Sequence, residues 1–349
     1  MTNQAIADAL RRHRAAERKK LTLIAGLLIV AAISLVFDIA TGPALLPVSQ
    51  VVAALVDPAG VDSTIAIIVW TLRLPMALMA IVVGIALGSS GATMQTLLDN
   101  PLASPYTLGL ASAAGFGASL AILAGGWGIN PLLIVPASAF VMACLASAVI
   151  YGVGNMRGMM GDTMILAGIA LMFLFHSLQS LLQFHAVPEV GQQIVFWMFG
   201  TLSKASWTNL AITAVAVGLS LPVLMLNAWK LTALKLGEER ARSVGISVSG
   251  LRLITIALVS LMTATAISFV GTIGFIGLVA PHIARMLVGE DQRYLLPAAG
   301  CVGAVMLSLA SVLSKVIMPG VLLPVGIVTA IIGVPFFLHL ILRRARRRA

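Results

Sequence analysis

The sequence has 349 residues, of which 60% are hydrophobic and 10% are charged, and its mean hydropathy is +1.05. A soluble domain usually carries about 25% charged residues, so the composition excludes an ordinary soluble protein. The net charge of +10 could suit nucleic-acid binding in a soluble chain, but here the basic residues flank apolar runs. We therefore expect an all-α, polytopic membrane protein that contacts lipid and no nucleic acid.

Ten apolar runs along the chain are long enough to cross a bilayer as helices. They are 21–40, 66–96, 104–125, 132–153, 163–186, 207–227, 252–271, 273–289, 297–317 and 323–342. They predict a transmembrane domain over 21–342, with a basic segment 1–20 before it and a basic tail 343–349 after it. The first apolar run is longer than the core of a signal peptide and no typical cleavage site follows, so we expect it to remain as a span.

Positive charge predicts the orientation of these spans. If the N-terminus is cytoplasmic, all but three of the 22 Lys and Arg residues fall on the cytoplasmic side. The exceptions are Arg73, Lys204 and Lys315. Because basic loops remain in the cytoplasm, this distribution predicts ten spans with both termini inside.

A polar segment, "DNPLASPYTLGL" at 99–110, interrupts the pattern between the second and third spans. Pro101 and Pro105 prevent a continuous helix. Asn100 and Ser104 can bond the backbone groups that the break leaves free. A plain connector explains the prolines, but non-helical backbone at membrane depth must be shielded by protein or face water.

The fifth span carries polar residues on one face. His176, Gln179 and Gln183 lie at positions i, i+3 and i+7, and Met172 continues that face. Such a face normally points toward protein or a water-filled path, although hydrogen bonding between helices is also possible. No second ligand stands at metal-binding spacing from His176, so we predict no metal site.

The longest polar stretch inside the chain is the loop 228–252, which has a short amphipathic helical pattern. Gly237 and Gly245 break that pattern. Glu238 and Glu239 precede Arg240 and Arg242, the charge order that a helix macrodipole favours. On these residues alone, an ordinary surface loop is a sufficient interpretation.

Several long motifs resemble one family. They are "GSSGATMQTLLDNPLASPYTLGLASAAGFGA" (88–118), "RLP" (73–75), "GEERARSVGI" (237–246), "FVGTIGFIGLVAPHIARMLVGEDQRYLLP" (269–297) and "LPVGIVTAIIGVPFFLHLILRR" (323–344). In order and spacing they resemble FecCD-type permeases, the membrane subunits of ATP-binding-cassette (ABC) importers for iron-siderophores, haem and vitamin B12. The resemblance covers nearly the whole chain from about residue 65.

The resemblance implies a type II ABC importer permease that is not itself an enzyme. It implies a second copy of the chain, two separate ATPase subunits that hold ATP and Mg, and a periplasmic substrate-binding protein. It implies no stably bound cofactor and a location in the bacterial inner membrane. The expected substrate is an iron chelate, either a ferric siderophore or haem. Cobalamin, molybdate and, with less support, ion-coupled transport remain as alternatives.

The resemblance also assigns roles to residues. The implied binding-protein contacts are Arg73, Lys315 and Lys204, although simple snorkelling would also explain them. The implied ATPase contacts are Gly237, Glu238, Glu239, Ala241, Arg242 and Gly245. The implied pathway residues are Met172, His176, Gln179 and Gln183, and the implied signature turn contains Asn100, Pro101, Ser104 and Pro105. The implied inner gate is Met159, Met160 and Gly161, for which a generic tight loop is an equal alternative.

The chain departs from the family pattern on its outer face. Met76 stands where a second arginine is usual, and Leu322 replaces a common acidic residue. No G-x-x-x-x-G-K-[ST] motif occurs in the sequence, so the nucleotide would be held by another chain.

Overall fold

The protein is described from a computed structural model that covers the backbone of residues 3–42, 46–156, 161–318 and 320–346. Within these ranges the regular elements are helices. They are α1 (Asn3–Ala40), α2 (Val48–Val56), α3 (Ser63–Ile67), α4 (Leu74–Leu97), α5 (Leu110–Leu123), α6 (Pro131–Met156), α7 (Gly161–His185), α8 (Pro188–Met198), α9 (Trp207–Leu226), α10 (Ala228–Leu234), α11 (Glu238–Ser243), α12 (Val248–Val270), α13 (Ile276–Val288), α14 (Gln292–Val316) and α15 (Val325–Arg346). A π-helical segment, Ile68–Arg73, joins α3 to α4.

The helices confirm the predicted all-α polytopic fold. In the described part of the chain, seven helical stretches are long and apolar enough to cross a membrane, and α5, α13 and the apolar part of α15 are shorter apolar helices. Each of these ten elements overlaps one predicted span. Three features were not predicted: α1 starts at Asn3 and so includes the basic segment, and α2 and α8 are separate short helices.

Two spans are shorter than predicted because the backbone turns before each of them. The polar turn after α4 delays the start of α5 until Leu110. The segment 271–275 separates α12 from α13, and it contains Gly271 at φ +73° and Phe275 at φ +67°. In the sequence, the three-residue spacing of Gly271, Gly274 and Gly277 after Phe269 predicts a bend in the helix, and the structure confirms it.

Helix α4 packs against α13 and α14 at close range. A methyl group added at Gly84 would lie 2.4 Å from the carbonyl oxygen of Gly303, and one added at Gly88 would lie 2.2 Å from that of Ala299. A methyl at Gly91 would lie 1.9 Å from the carbonyl oxygen of Gly277. In the sequence, Gly84 and Gly88 stand four residues apart, a spacing of small residues that predicts close helix packing, and the structure confirms it.

We predict that Gly91→Ala destabilises the protein by about 1–3 kcal/mol, because the added methyl must push two helix backbones apart. Gly218→Ala in α9 is the matched control, since a methyl there meets nothing within 4 Å. Thermal unfolding in detergent measures both. Equal melting temperatures for the two variants would contradict the close contact between α4 and α13.

Candidate functional site

The polar turn between α4 and α5 is fixed by its own hydrogen bonds. The Asn100 carboxamide oxygen accepts the amide of Leu102 at 2.8 Å. The amide of Ser104 donates to the Thr107 hydroxyl at 2.9 Å, and the amide of Thr107 donates to the Ser104 hydroxyl at 3.1 Å. Thr107 was not singled out from the sequence, although it lies within the motif. The turn therefore has one defined shape that satisfies the backbone groups freed by the prolines.

Close contacts hold this turn between α7 and α13. A methyl at Gly161 would lie 2.5 Å from the carbonyl oxygen of Leu98, and one at Gly168 would lie 2.7 Å from the Cα atom of Leu108. On the other side, Gly277 faces Ser104. Gly161 was predicted as part of an inner gate. It packs against the end of α4, while Met159 and Met160 lie outside the described residues.

The segment 237–245 forms a short helix fixed at both ends by glycine. Gly237 and Gly245 have φ angles of +109° and +83°, which glycine adopts without steric cost. Glu238 accepts from Arg252 at 2.5 Å and from Arg242 at 3.2 Å, so α11 is tied to the first turn of α12. These contacts orient α11 on the end of the helical bundle.

The two faces of α11 differ. Ala241 is fully buried against the bundle, so its side chain positions α11 and is not available to another protein. Glu239 and Arg240 are exposed. Two large apolar side chains flank them, Leu236 at 63% and Val244 at 62% exposure. Sequence reasoning missed this pair, although each of the two residues stands directly before a glycine in the loop 228–252.

The polar turn, the 235–238 region and the loop before α14 meet around two cavities. One, of about 270 Å³, is lined by Gln95, Asp99, Asn100, Pro101, Lys235, His282, Arg285 and Glu290. The other, of about 230 Å³, also contains Asp99 and Lys235 and extends to Gly161, Glu238 and Arg252. Three segments that the sequence analysis treated separately therefore form one polar region.

Glu290 connects Lys235, which follows α10, with Arg285 of α13. Its carboxylate forms ion pairs with Lys235 and with Arg285, the latter at 3.0 Å. Burial favours the protonated carboxyl, but the hydrogen bonds and charges of Lys235 and Arg285 outweigh it, so the pKa of Glu290 is lowered. The link is therefore ionic at neutral pH.

The predicted polar face of α7 is divided between two environments. His176 is exposed, and Met172 and Gln183 are half-buried. Gln179 is buried, and its amide contacts the sulfur of Met198 in α8. Gln179 therefore packs between helices, which matches the interhelical alternative. The neighbouring His176 leaves part of the α7 surface polar and uncovered within this chain.

At the opposite end of the bundle, two of the predicted docking cations are buried. The ammonium of Lys315 bonds the carboxylate of Asp38 at 2.5 Å, with side-chain exposures of 3% and 0%. The guanidinium of Arg73 donates to the carbonyl oxygens of Ile39 and Ala40 at 3.0 and 2.9 Å. In this conformation these cations join α1, α4 and α14 and do not present charge at the surface. Lys204, by contrast, is exposed.

The buried acid is relevant to the ion-coupled alternative. Asp38 lies near the end of α1, is fully enclosed and also accepts from the Ser311 hydroxyl at 2.9 Å. Its charge is matched by Lys315. In the part of the chain that the structure describes, no cluster of three or more His, Cys, Asp or Glu side chains could hold a metal ion.

Comparison with known proteins gives a consistent assignment. The profile of the FecCD transport family matches residues 27–343. The chain is 33% identical over 332 residues to the Fe(3+)-citrate import system permease protein YfmE of Bacillus subtilis, covering 95% of this chain and 98% of that protein. It is 35% identical over 290 residues to the hemin transport system permease protein HmuU of Yersinia pestis, covering 80% of this chain and 85% of that protein.

A solved structure of an inward-facing ABC transporter, described as of metal-chelate type, is also similar. The TM-score is 0.82 at 29% identity, and the superposition covers 92% of this chain and 99% of the other. The similarity therefore extends from the sequence to the arrangement of the helices.

We predict that Lys315→Met destabilises the protein by about 3–5 kcal/mol, because it leaves the Asp38 carboxylate buried without its counter-ion. The double variant Asp38→Leu, Lys315→Met should recover most of this loss. Lys204→Met, which removes an exposed lysine at the same end, should change stability by less than about 0.5 kcal/mol. Thermal unfolding in detergent compares the three. A single variant as stable as the Lys204 control would show that the pair is not formed.

We predict that acidification opens the link between Lys235 and the loop before α14. Because the pKa of Glu290 is lowered in the folded protein, its contribution is complete above about pH 4.5 and is lost as the pH falls through the lowered value. Hydrogen-exchange protection of residues 233–237, corrected for intrinsic rates, should fall over that range. In Glu290→Gln protection should be low already at neutral pH. Protection that is independent of pH in the wild type would contradict this.

Proposed function

The chain belongs to the FecCD transport family of ABC importer permeases, and we propose that it carries an iron chelate, a ferric siderophore or haem, from the periplasm to the cytoplasm. It has the type II permease fold and is an integral membrane subunit. ATP hydrolysis takes place on a separate ATPase. A periplasmic binding protein supplies the substrate.

The free face of α11 is the observation that carries the proposed coupling to an ATPase. A short helix is held at the end of the bundle by Glu238, and it exposes Leu236 and Val244 on either side of a charged surface. Exposed apolar side chains rimmed by polar ones are typical of a protein interface. We assign this face to the ATPase, with Glu239, Arg242 and the glycines at 237 and 245 as the polar rim.

Contacts around the polar turn supply a route for the ATPase to move the spans. The turn lies directly between α7 and α13, and it shares a cavity wall with Lys235, two residues before Gly237. A displacement of α11 would reach the turn through the Lys235 region and would pass from the turn to α7 through direct backbone contacts. Such rigid-body movement between two packings is a general form of alternating access.

Helix α7 supports the placement of the pathway. His176 and its exposed neighbours leave one side of this apolar helix uncovered in the single chain. A second copy of the chain, related by a two-fold axis, would place this side along a shared central path. Met172 and Gln183 then lie beside that path, and Gln179 supports it from behind.

The end opposite α11 is the proposed periplasmic face, which follows from the distribution of Lys and Arg. The buried contacts of Arg73 and Lys315 hold the ends of α1, α4 and α14 beneath that face. Exposed charges at this end include Asp57, Asp62 and Glu189. The binding protein would therefore contact a surface in which the helix ends are held together by buried contacts and the exposed charges are mainly acidic.

Relatives supply the support for the substrate class. The named functions of the two relatives above are Fe(3+)-citrate import and hemin transport. Cobalamin and molybdate are the alternatives within the same importer class. Uptake of radiolabelled ferric citrate, hemin, cobalamin and molybdate by cells with and without the intact permease distinguishes them, and loss of cobalamin or molybdate uptake alone would contradict the iron-chelate proposal.

We predict that Leu236→Asp combined with Val244→Asp weakens association with the ATPase about tenfold or more, because each substitution places a charge in the proposed apolar contact. Thermal stability should be unchanged, since both side chains are largely exposed. The control is Val56→Asp, which alters an 80% exposed valine on α2. Pull-down of the ATPase and ATP-driven uptake in proteoliposomes measure the effect. Wild-type uptake by the double variant would refute the assignment of this face.

A further inference from the structure

A groove lies at the proposed periplasmic end of the bundle, between α6, α8, α9 and α12. Its volume is about 640 Å³. Its walls are mainly apolar, with Leu133, Phe196 and Phe269 among them, and Lys204 and Asn209 stand at its polar side. It is distinct from the α7 face and from the polar region near α11. An apolar groove with one cation beside it suits an amphipathic anion.

A second groove of about 410 Å³ lies farther along the contact between α6 and α12. Its walls include Cys144 and Ala148 of α6 and Ala257 and Leu261 of α12. Between the two grooves, Ala139 and Ala264 are fully buried where the helices touch. We call this line of contact, with both grooves, the α6–α12 seam.

Helix geometry places both grooves on the same face of α6 and on the same face of α12. Residues 133 and 144 of α6 are eleven positions apart, as are residues 257 and 268 of α12. Eleven residues make about three helical turns, so each pair lies on one face of its helix. The same interval corresponds to a rise of about 16 Å. One leaflet of a bilayer contributes about half of a 30 Å hydrocarbon core, so an acyl chain that begins at the level of Leu133 reaches Cys144, at the near edge of the second groove.

A lysine and two tryptophans indicate that the first groove lies at the level of the lipid headgroups. Lys204 is exposed, and its ammonium has no hydrogen-bond or ion-pair partner among the described residues. Nearby, the rings of Trp70 and Trp207 are stacked at 6.3 Å, and the Trp207 indole donates to the Trp70 carbonyl at 3.0 Å. Tryptophan is enriched where the apolar core meets the headgroups. Lys204 therefore stands at the level of a lipid phosphate.

We propose that the α6–α12 seam is a binding site for one anionic phospholipid of the periplasmic leaflet. Its phosphate pairs with Lys204, and an acyl chain follows the seam toward the second groove. This site is independent of the transported substrate. It gives Lys204 a different role from the binding-protein contact that the family resemblance implied.

The test uses the full chain in nanodiscs that contain equal amounts of phosphatidylglycerol and phosphatidylcholine. Native mass spectrometry counts the lipids that remain after the nanodisc is stripped. Wild-type protein should retain phosphatidylglycerol in preference to phosphatidylcholine. Lys204→Met should reduce the retained phosphatidylglycerol about fivefold, the effect of one lysine near an anionic headgroup. Lys204→Arg, which keeps a positive charge at the same position, is the matched control and should retain phosphatidylglycerol as the wild type does.

A second variant tests the acyl part without changing charge. Ala257→Trp fills the second groove from an exposed position, so it should lower the retention of phosphatidylglycerol while the protein remains folded. Equal retention by wild type and both variants would overturn the proposal, as would equal retention of the two lipids by wild type. If Lys204→Met leaves lipid retention intact but abolishes stimulation by the binding protein, Lys204 serves docking and the lipid site is wrong.

Discussion

Helix α4 touches α13 and α14 so closely that there is no room for a methyl group at Gly84, Gly88 or Gly91. In a membrane, lipid is as apolar as a leucine side chain, so such direct backbone packing supplies much of the attraction between helices. The end of α4 is thereby fixed, and the polar turn that follows it must lie between α7 and α13. The geometry at the α11 end depends on that placement.

The two ends of the bundle are built differently. At the α11 end, ion pairs such as Glu290 with Lys235 are partly exposed and border cavities. Exposed pairs of this kind contribute little stability and can be rearranged at small cost. At the opposite end, Asp38 and Lys315 are enclosed, and breaking their contact would leave buried charges unpaired. This difference agrees with the proposal that the α11 end moves against an ATPase, while the contact of Asp38 with Lys315 keeps α1 and α14 together as one unit.

Local sequence patterns were sufficient to predict the spans and the breaks between them. Hydrophobic length located ten helices, and prolines and glycines located the turn after α4 and the bend before α13. Long-range pairing was not predictable in this way. Lys315 and Asp38 are 277 residues apart, and charge counting grouped Lys315 with Arg73 at one end of the bundle without showing that both side chains are buried. Ala241 is a similar case, because the motif located α11 but not the face that it buries.

Cross-linking of the chain in its native membrane, followed by affinity purification and mass spectrometry, tests the central claim that α11 couples this permease to a separate ATPase. We expect a partner in equal amount that carries a G-x-x-x-x-G-K-[ST] motif and is cross-linked to residues 235–245. Recovery of the chain in mild detergent without such a partner, or with the ATPase cross-linked only to the segment 46–62, would contradict it.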